Sequence, residues 1–529
     1  MNFSLIVIVF ILLTCIALNK VSSKLGVPVL LLFIMLGLIA GWDDASVMES
    51  AKTVESTCSI ALIFIIFYGG FGTKWSTAKP VVRESGILAS AGVFATAAIT
   101  GLFCHFALKW GWAESFLMGS VISSTDAATV FSILRNHKMG LKNNTAPMLE
   151  IESGSNDPCS YMLTIIMISI IKGEALGGKI VWMVLAQVGF GAIFGCLIAQ
   201  GAIWVLRHTR MAPGFYSLFF VAVAIASYAF PSTVGGNGYL SAYLTGIIIG
   251  NTEFNGRKVM MNFFDGVTSS CQIIIFYLLG LMAIPENLFK AFLPALLVFL
   301  FLTLVSRPIS VAATLAPFRK YPSGQIGFVS FVGLRGAASI VFAIMTLDPA
   351  VHLQNDVFSL VFCIVLISIG FQGSLIPLAA KLFRMTDSNS DVMQTFNDFS
   401  ETEEIAFSSF HIGKDSPWAG KIIKDLNFPK EILIVLILRD KKKIVPKGHT
   451  ELAVGDEIII SSKSYSSDMT NIIEHPLSKN SQWIGHPIKD YPFKEQGMLV
   501  MVKRGEENII PNGSTILKQG DILYILRQQ

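Results

Sequence analysis

Apolar runs long enough to cross a bilayer alternate with short polar turns along the first 384 residues of the chain, and then they stop. A membrane helix needs about 20 mostly apolar residues. On that measure, spans are predicted near 3–19, 26–42, 56–72, 84–108, 113–134, 146–171, 181–206, 213–230, 236–251, 264–284, 288–316, 323–347 and 355–380. The ninth is the weakest. No basic residue precedes the first run and no small-residue cleavage site follows it, so it reads as a retained helix rather than a signal peptide. The expected fold is a polytopic α-helical membrane protein of about 13 transmembrane helices.

Beyond Arg384 the pattern becomes polar and then β-rich, and it repeats at an offset of 65 residues without a gap. Ser416, Trp418 and Gly420 recur as Ser481, Trp483 and Gly485; Lys424-Asp425, Phe428 and Arg439 recur as Lys489-Asp490, Phe493 and Arg504. Pro446, Gly448 and Thr450 return as Pro511, Gly513 and Thr515, and Leu452 with Gly455-Asp456 returns as Leu517 with Gly520-Asp521. So many Trp, Gly and Pro residues at one offset mark a duplicated domain. The chain therefore divides into a membrane domain at 1–384, a linker at 385–402 and two small α+β domains at 403–464 and 468–529. Each copy is expected to hold a short helix near its Trp-x-Gly segment and then strands, with Pro-x-Gly and Gly-Asp as turns.

Composition agrees with a membrane protein. The 529-residue chain is 53% hydrophobic, with a mean hydropathy of +0.61 and a charged fraction of 14%, against roughly 25% in soluble domains. Its net charge of +4 gives no reason to expect a nucleic-acid partner, so lipid is the expected surrounding. The seven cysteines all fall in the apolar part, and no C-x-x-C or Cys/His spacing suggests a disulfide framework or zinc site.

Charge does set an orientation. With the N-terminus outside, the inner loops hold Lys20, Lys24, Lys74, Lys79, Arg83, Arg135, Lys138, Lys142, Arg207, Arg210, Arg257, Lys258, Arg319 and Lys320. The outer loops hold only Lys52, Lys109, Lys172, Lys179 and Lys290. Positive residues stay inside, which places the tail in the cytoplasm and the protein in the cell (inner) membrane.

Ionisable residues within such spans are costly and mark functional sites. Glu150 to Pro158 reads E-I-E-S-G-S-N-D-P, and about a dozen apolar residues follow from Tyr161 to Ile171. Glu152, Asn156 and Asp157 are expected to share roughly one helix face; the alternative is a set of capping residues near the surface. In the fifth span, Ser123-Ser124-Thr125-Asp126 sets a charge in mid-helix that needs a cation, a proton or a helix N-terminus. Arg307 in the eleventh span cannot deprotonate and needs a permanent anion, for which Glu152 is the candidate. Gly333-Leu334-Arg335-Gly336 in the twelfth span suggests a broken helix. The fifth and twelfth spans are each fifth in a block of six, and interrupted segments at matching positions point to a transporter of two inverted six-helix repeats. The G-A-I-F-G run at Gly191 to Gly195 reads as ordinary close helix packing.

In these motifs, E-x-x-x-N-D, T-D, G-N-G-Y-L-S-A-Y-L-T-G-I-I-I-G-N at Gly236 to Asn251, and G-L-R-G, residues 1 to about 384 resemble the NhaP-type branch of the cation/proton antiporter superfamily. The resemblance implies a homodimer with an elevator-like alternating-access motion. It implies a monovalent-cation site from Asp157, Ser153, Asp126 and Thr125, and a structural ion pair between Glu152 and Arg307. Ile151 stands where the family commonly has Gly, and Pro158 follows the Asp. The two tail copies resemble the C-terminal lobe of RCK domains, which often dimerises and binds a small regulatory ligand. The nucleotide-binding lobe that usually precedes it is absent, and the tail has no G-x-G-x-x-G. A regulatory nucleotide or another small molecule at the tail is the expected partner; no cofactor is expected beyond the transported ions.

The chemistry follows from one carboxylate and its neighbour. A partly desolvated Asp157 holds either a proton or a cation, which is antiport. Asn156 cannot ionise, so exchange of one proton per monovalent cation is expected, with potassium before sodium because relatives of the tail lobes serve potassium transport. A ligand-gated cation channel is the alternative of a different class; no T-V-G-Y-G-like filter supports it. No nucleophile–base constellation suggests an enzyme.

Overall fold

Apolar runs become helices because a backbone inside lipid must satisfy its own hydrogen bonds. The computed structural model describes residue 14, residues 28–41, 51–387 and 405–527, apart from positions 138, 210, 253 and 255–256 in the membrane unit, and 414–415, 427–431, 440–441, 464–470, 478–480, 482, 489–496, 505–506 and 510 in the tail. The predicted span at 3–19 lies outside the described residues except for residue 14. Among these residues, seven helices are long and apolar enough to cross a membrane: Lys52–Gly72, Val82–Leu108, Gly178–His208, Gly214–Thr233, Val259–Leu281, Pro285–Phe318 and Val357–Leu382. Thr145–Ile171 has the length, 27 residues, but carries Glu150, Glu152 and Asp157. The weak ninth run forms only the 13-residue helix Gly238–Gly250, about 20 Å long at 1.5 Å per residue.

The fifth and twelfth runs are interrupted. Helix Trp112–Val121 ends, and Ala127–Asn136 begins after residues 122–126; likewise Ser323–Phe331 gives way to Ala337–Ile344 after residues 332–336. Three other long helices carry one turn of π-helix, at Leu88–Gly92, Leu302–Ser306 and Ser368–Gln372. Two of these meet in a buried polar contact: Thr100 Oγ1 donates to Ser306 Oγ at 2.9 Å, and Ser306 Oγ donates to the Thr96 carbonyl at 3.1 Å. Gly191 and Gly195 pack against the helix Gly238–Gly250, where an added Cβ would stand 2.9 Å from Asn237 O and 3.0 Å from Ser241 O. That is the close packing their spacing suggests.

The polar stretch after Arg384 does not leave the membrane unit at once. Thr386–Asp387 pairs antiparallel with Gly140–Leu141, so the start of the predicted linker is tied to the turn before the helix Thr145–Ile171. Residues 388–404 lie outside the described residues.

The tail, residues 401–529, is a separate compact unit. Its first sheet runs in the order Ile405–His411, Glu457–Lys463, Leu433–Arg439, Lys442–Ile444, and its second in the order Asn471–Pro476, Ile522–Arg527, Gly497–Arg504, Glu507–Ile509. Both are antiparallel. The expected short helix near Trp418 is a turn, because Gly420 takes a φ of +74° that ends any helix; a single 3-10 turn follows at Ile423–Asp425.

The Gly-Asp pairs do more than turn the chain. Arg439 donates Nε and Nη2 to the two oxygens of buried Asp456, each at 2.7 Å, and Arg504 repeats this on Asp521 at 2.8 Å. Each Arg also reaches a backbone carbonyl, and each Asp accepts a backbone N–H at 2.8 Å from three residues upstream. Arg439 holds the Asp456 carboxyl below the usual carboxylate range. Burial pushes Asp521 up, but Arg504 and the Lys518 N–H outweigh it and the net shift is also downward. A carboxylate with a lowered folded value stabilises the fold above its unfolded value, near 4, and loses that contribution as pH falls through the folded value. Hydrogen exchange of the strands Glu457–Lys463 and Ile522–Arg527 should therefore hold steady across neutral pH once intrinsic rates are corrected, with protection lost only below about pH 4. Arg439→Met should cost about 2 kcal/mol, near what charged hydrogen bonds contribute, and speed exchange in the first sheet at neutral pH. Unchanged protection would show the clamp to be ornamental.

Candidate functional site

The helix Thr145–Ile171 carries its polar residues past both interruptions, and the turn of a helix decides what each one meets. At about 100° per residue, Asp157 lies about 140° round from Glu152. The expected shared face therefore splits. Glu152 turns to Arg307, whose Nη2 is bonded to its Oε1, and both side chains are almost wholly buried, at 1% and 2% exposure. Asn156, fully buried, donates Nδ2 to Thr125 Oγ1 at 2.6 Å. Asp157 alone of the three lines a cavity of ≈ 430 Å³.

That cavity brings together four of the residues singled out from the sequence: Asp157, Ser153, Asp126 and Thr125. Asp157 Oδ1 accepts from Ser124 Oγ. Ser153 Oγ donates to the Thr125 carbonyl at 2.8 Å and accepts the Ala127 N–H at 3.0 Å, so it joins the end of the first interruption to the start of the half-helix that follows. Asp126 is the N-cap of the half-helix Ala127–Asn136. Its Oδ1 accepts the Thr129 N–H at 3.2 Å and its Oδ2 accepts from Thr129 Oγ1 at 2.6 Å, the usual service of Asp at a helix start. Of the three partners its charge demanded, the helix N-terminus supplies one.

Arg335 lies outside the cavity. Its Nη1 donates to the Ser124 carbonyl at 2.5 Å, and its own N–H donates to Ser368 Oγ at 3.0 Å. The two interruptions also meet directly, through Asp126 N–H to Leu334 O at 2.8 Å. Gly336 is required there: an added Cβ would fall 2.2 Å from Asp126 Oδ2 and 2.6 Å from Asp126 Cβ. The carbonyls freed where the helices stop find side-chain partners as well. Ser160 Oγ donates to Ser120 O at 2.6 Å, and Gln372 Nε2 donates to Phe331 O at 2.5 Å.

Three contributions escaped sequence reasoning. Ser124, outside the cation site that the resemblance implied, is the hydroxyl on Asp157. Asn237 caps the helix Gly238–Gly250 through Leu240 N–H at 3.0 Å and donates Nδ2 to Pro158 O at 2.8 Å, which ties that helix to the residue after Asp157. Glu150 and Asp265 line the same cavity. The serine run and the G-N-G motif were visible as signals, but their partners lie 33 and 79 residues away.

Two interrupted helices that meet beside a half-buried carboxylate, inside an apolar helical unit, define a membrane transporter. Residues 8–382 match the family of the sodium/hydrogen exchanger, transmembrane region, and the chain belongs to that family. It is therefore a secondary ion transporter and not an enzyme. Residues 407–469 and 472–527 each match the TrkA-C domain. The chain is 31% identical over 502 residues to the K(+)/H(+) antiporter NhaP of Alkalimonas amylolytica, covering 94% of this chain and 87% of that protein. It is 31% identical over 457 residues to the K(+)/H(+) antiporter NhaP2 of Shewanella sp. (strain ANA-3), covering 85% and 79%. The solved structure of the sodium proton antiporter MjNhaP1 from Methanocaldococcus jannaschii shares the fold, with a TM-score of 0.63 at 21% identity over 70% of this chain and 99% of that one.

The buried pair yields a stability prediction. Removing one member of such a pair costs about 3–5 kcal/mol, because the other is left charged and alone. Glu152→Ala and Arg307→Ala should each lower the melting temperature sharply in detergent, and the double variant should lose less than the sum. Strictly additive losses would mean the two side chains are not coupled.

Proposed function

We propose that this protein exchanges a monovalent cation, potassium before sodium, for a proton, one for one, by alternating access. One observation carries the reading: of the Glu, Asn and Asp of the E-x-x-x-N-D motif, Asp157 alone faces the cavity, beside an Asn that cannot ionise. Proton and cation then compete for one carboxylate, with the cation held among Asp157, Ser153, Asp126 and Thr125 and assisted by Ser124. Glu152, Arg307, Asn156 and Arg335 position the helices. Potassium is favoured by the relatives named K(+)/H(+) antiporters; sodium is the alternative, from the more distant probable Na(+)/H(+) antiporter 2 of Methanocaldococcus jannaschii, 25% identical over 70% of this chain. A gated channel finds no supporting filter.

The remaining assignments belong to the same reading. Thirteen spans in two inverted six-helix repeats are supported by the matched interruptions at 122–126 and 332–336 and by π-turns one span earlier in each block. Membrane residues 1–384 and the lobes at 403–464 and 468–529 are joined by the linker at 385–402. The N-terminus faces out and the tail lies in the cytoplasm of an inner-membrane homodimer. A small molecule, a nucleotide among the candidates, regulates transport at the tail by binding two transporter states unequally.

Proteoliposomes test the core of this. Wild-type protein should release protons on addition of potassium, at a rate and null point indifferent to an imposed membrane potential, and Asp157→Asn should abolish release while the protein stays folded. A folded Asp157→Asn that still exchanges, or a null point that moves with voltage, would contradict the mechanism.

A further inference from the structure

A second cavity, of ≈ 530 Å³, lies at the other end of the helices that line the first. On the helix Ala51–Gly72, Leu62, Ile66 and Gly69 line the cavity that reaches Asp157, while Lys52, Glu55 and Ser59 line the second. The half-helix Ala337–Ile344 shows the same division. Ala337 and Ala338 face the first cavity; Ile344 and, just beyond it, Leu347 and Asp348 face the second. At 1.5 Å per residue, Glu55 and Gly69 are about 21 Å apart along the helix axis. The two cavities therefore open towards opposite ends of the unit.

Between them stand four rings. Tyr161, one helical turn beyond Asp157, packs edge-on against Tyr239 with centroids 4.8 Å apart, and Tyr239 packs on Tyr228 at 4.9 Å. Phe342 closes the group, 5.8 Å from Tyr161 and 6.2 Å from Tyr239. Tyr239 and Phe342 are wholly buried, and Tyr228 reaches the wall of the second cavity. Tyr161 and Phe342 belong to the helices that carry the site, Thr145–Ile171 and Ala337–Ile344; Tyr228 and Tyr239 belong to the neighbouring Pro213–Thr233 and Gly238–Gly250. The plug is thus built half from each group. At the mouth, Lys172 Nζ is paired with Asp348 Oδ2 at 2.6 Å, while Glu55 faces the cavity from another helix.

We propose that this second cavity is the ion port of the opposite membrane face, with Glu55 attracting the monovalent cation and the four rings forming the gate that separates it from Asp157. Movement of the site helices draws Tyr161 and Phe342 away from Tyr228 and Tyr239 and joins the port to Asp157, while the first cavity closes. The ring group has no carboxylate of its own to hold an ion, so it seals rather than conducts. The proposal rests on the antiport reading.

The test is sidedness. In right-side-out and everted vesicles, Glu55→Gln should raise the half-saturating potassium concentration about threefold or more on one face and leave the other unchanged. An effect on neither face, or equally on both, would overturn the port. Tyr161→Phe should keep tight coupling, and Tyr161→Ala should leak protons without added cation; Tyr228→Leu gives the same reading where Tyr161→Ala does not fold. Folded gate variants with wild-type coupling would overturn the gate. Wild-type protein that exchanges nothing would remove the antiport reading itself, whereas a wild-type exchanger with symmetric variants removes only the port.

Discussion

Everything at the site depends on two stretches of backbone that are not helical in the middle of an apolar unit. Non-helical chain at membrane depth is tolerated only when its polar groups are satisfied within the protein or line a cavity. Here the two interruptions satisfy each other. Asp126 N–H binds Leu334 O, Arg335 reaches back to Ser124 O, and Gly336 lets Asp126 come close enough. Ser153, Ser160, Gln372 and Ser368 take up other groups that the missing helical turns release. What remains open faces a cavity, and Asp157 stands there.

The distribution of charge around that crossing follows from the same constraint. Glu152 and Arg307 neutralise each other one side of the helix away, and Asp126 uses both its oxygens to cap a half-helix. Each of these charges already has a structural partner. Asp157 is held by one hydroxyl, that of Ser124, among the contacts described. A carboxylate so placed gains more from a proton or a cation than its neighbours do, which is why the exchange reading centres on it. The tail solves a different problem. Its small sheets have thin cores, and an Arg–Asp clamp repeated at Arg439–Asp456 and Arg504–Asp521 fixes the turn of each.

Much of this was legible in the sequence, for identifiable reasons. Hydropathy located the helices because lipid demands length, and G-L-R-G and S-S-T-D located the interruptions because neither a charge nor paired glycines suit an uninterrupted apolar helix. The pairing of Glu152 with Arg307 could be guessed because a buried guanidinium has no neutral form to retreat to. Helical rotation was harder: Asn156 and Asp157 are neighbours in sequence yet meet Thr125 and an open cavity respectively. Ser124 and Asn237 act on residues far along the chain, which spacing alone does not give. The pairing of Thr386–Asp387 with Gly140–Leu141 was hidden in a polar stretch that reads as linker. The Arg clamps were hidden behind turn residues that explain themselves locally.

The central claim is that one carboxylate serves proton and cation in turn, so the most direct measurement is the potassium dependence of exchange at a series of pH values in proteoliposomes. Competition for one site predicts that the half-saturating potassium concentration rises about tenfold for each unit of acidification on the acid limb, as for two ligands of a single group, while the maximal rate at saturating potassium is unchanged. A half-saturating concentration that stays flat while the maximal rate falls would place proton and cation on separate groups and contradict the account.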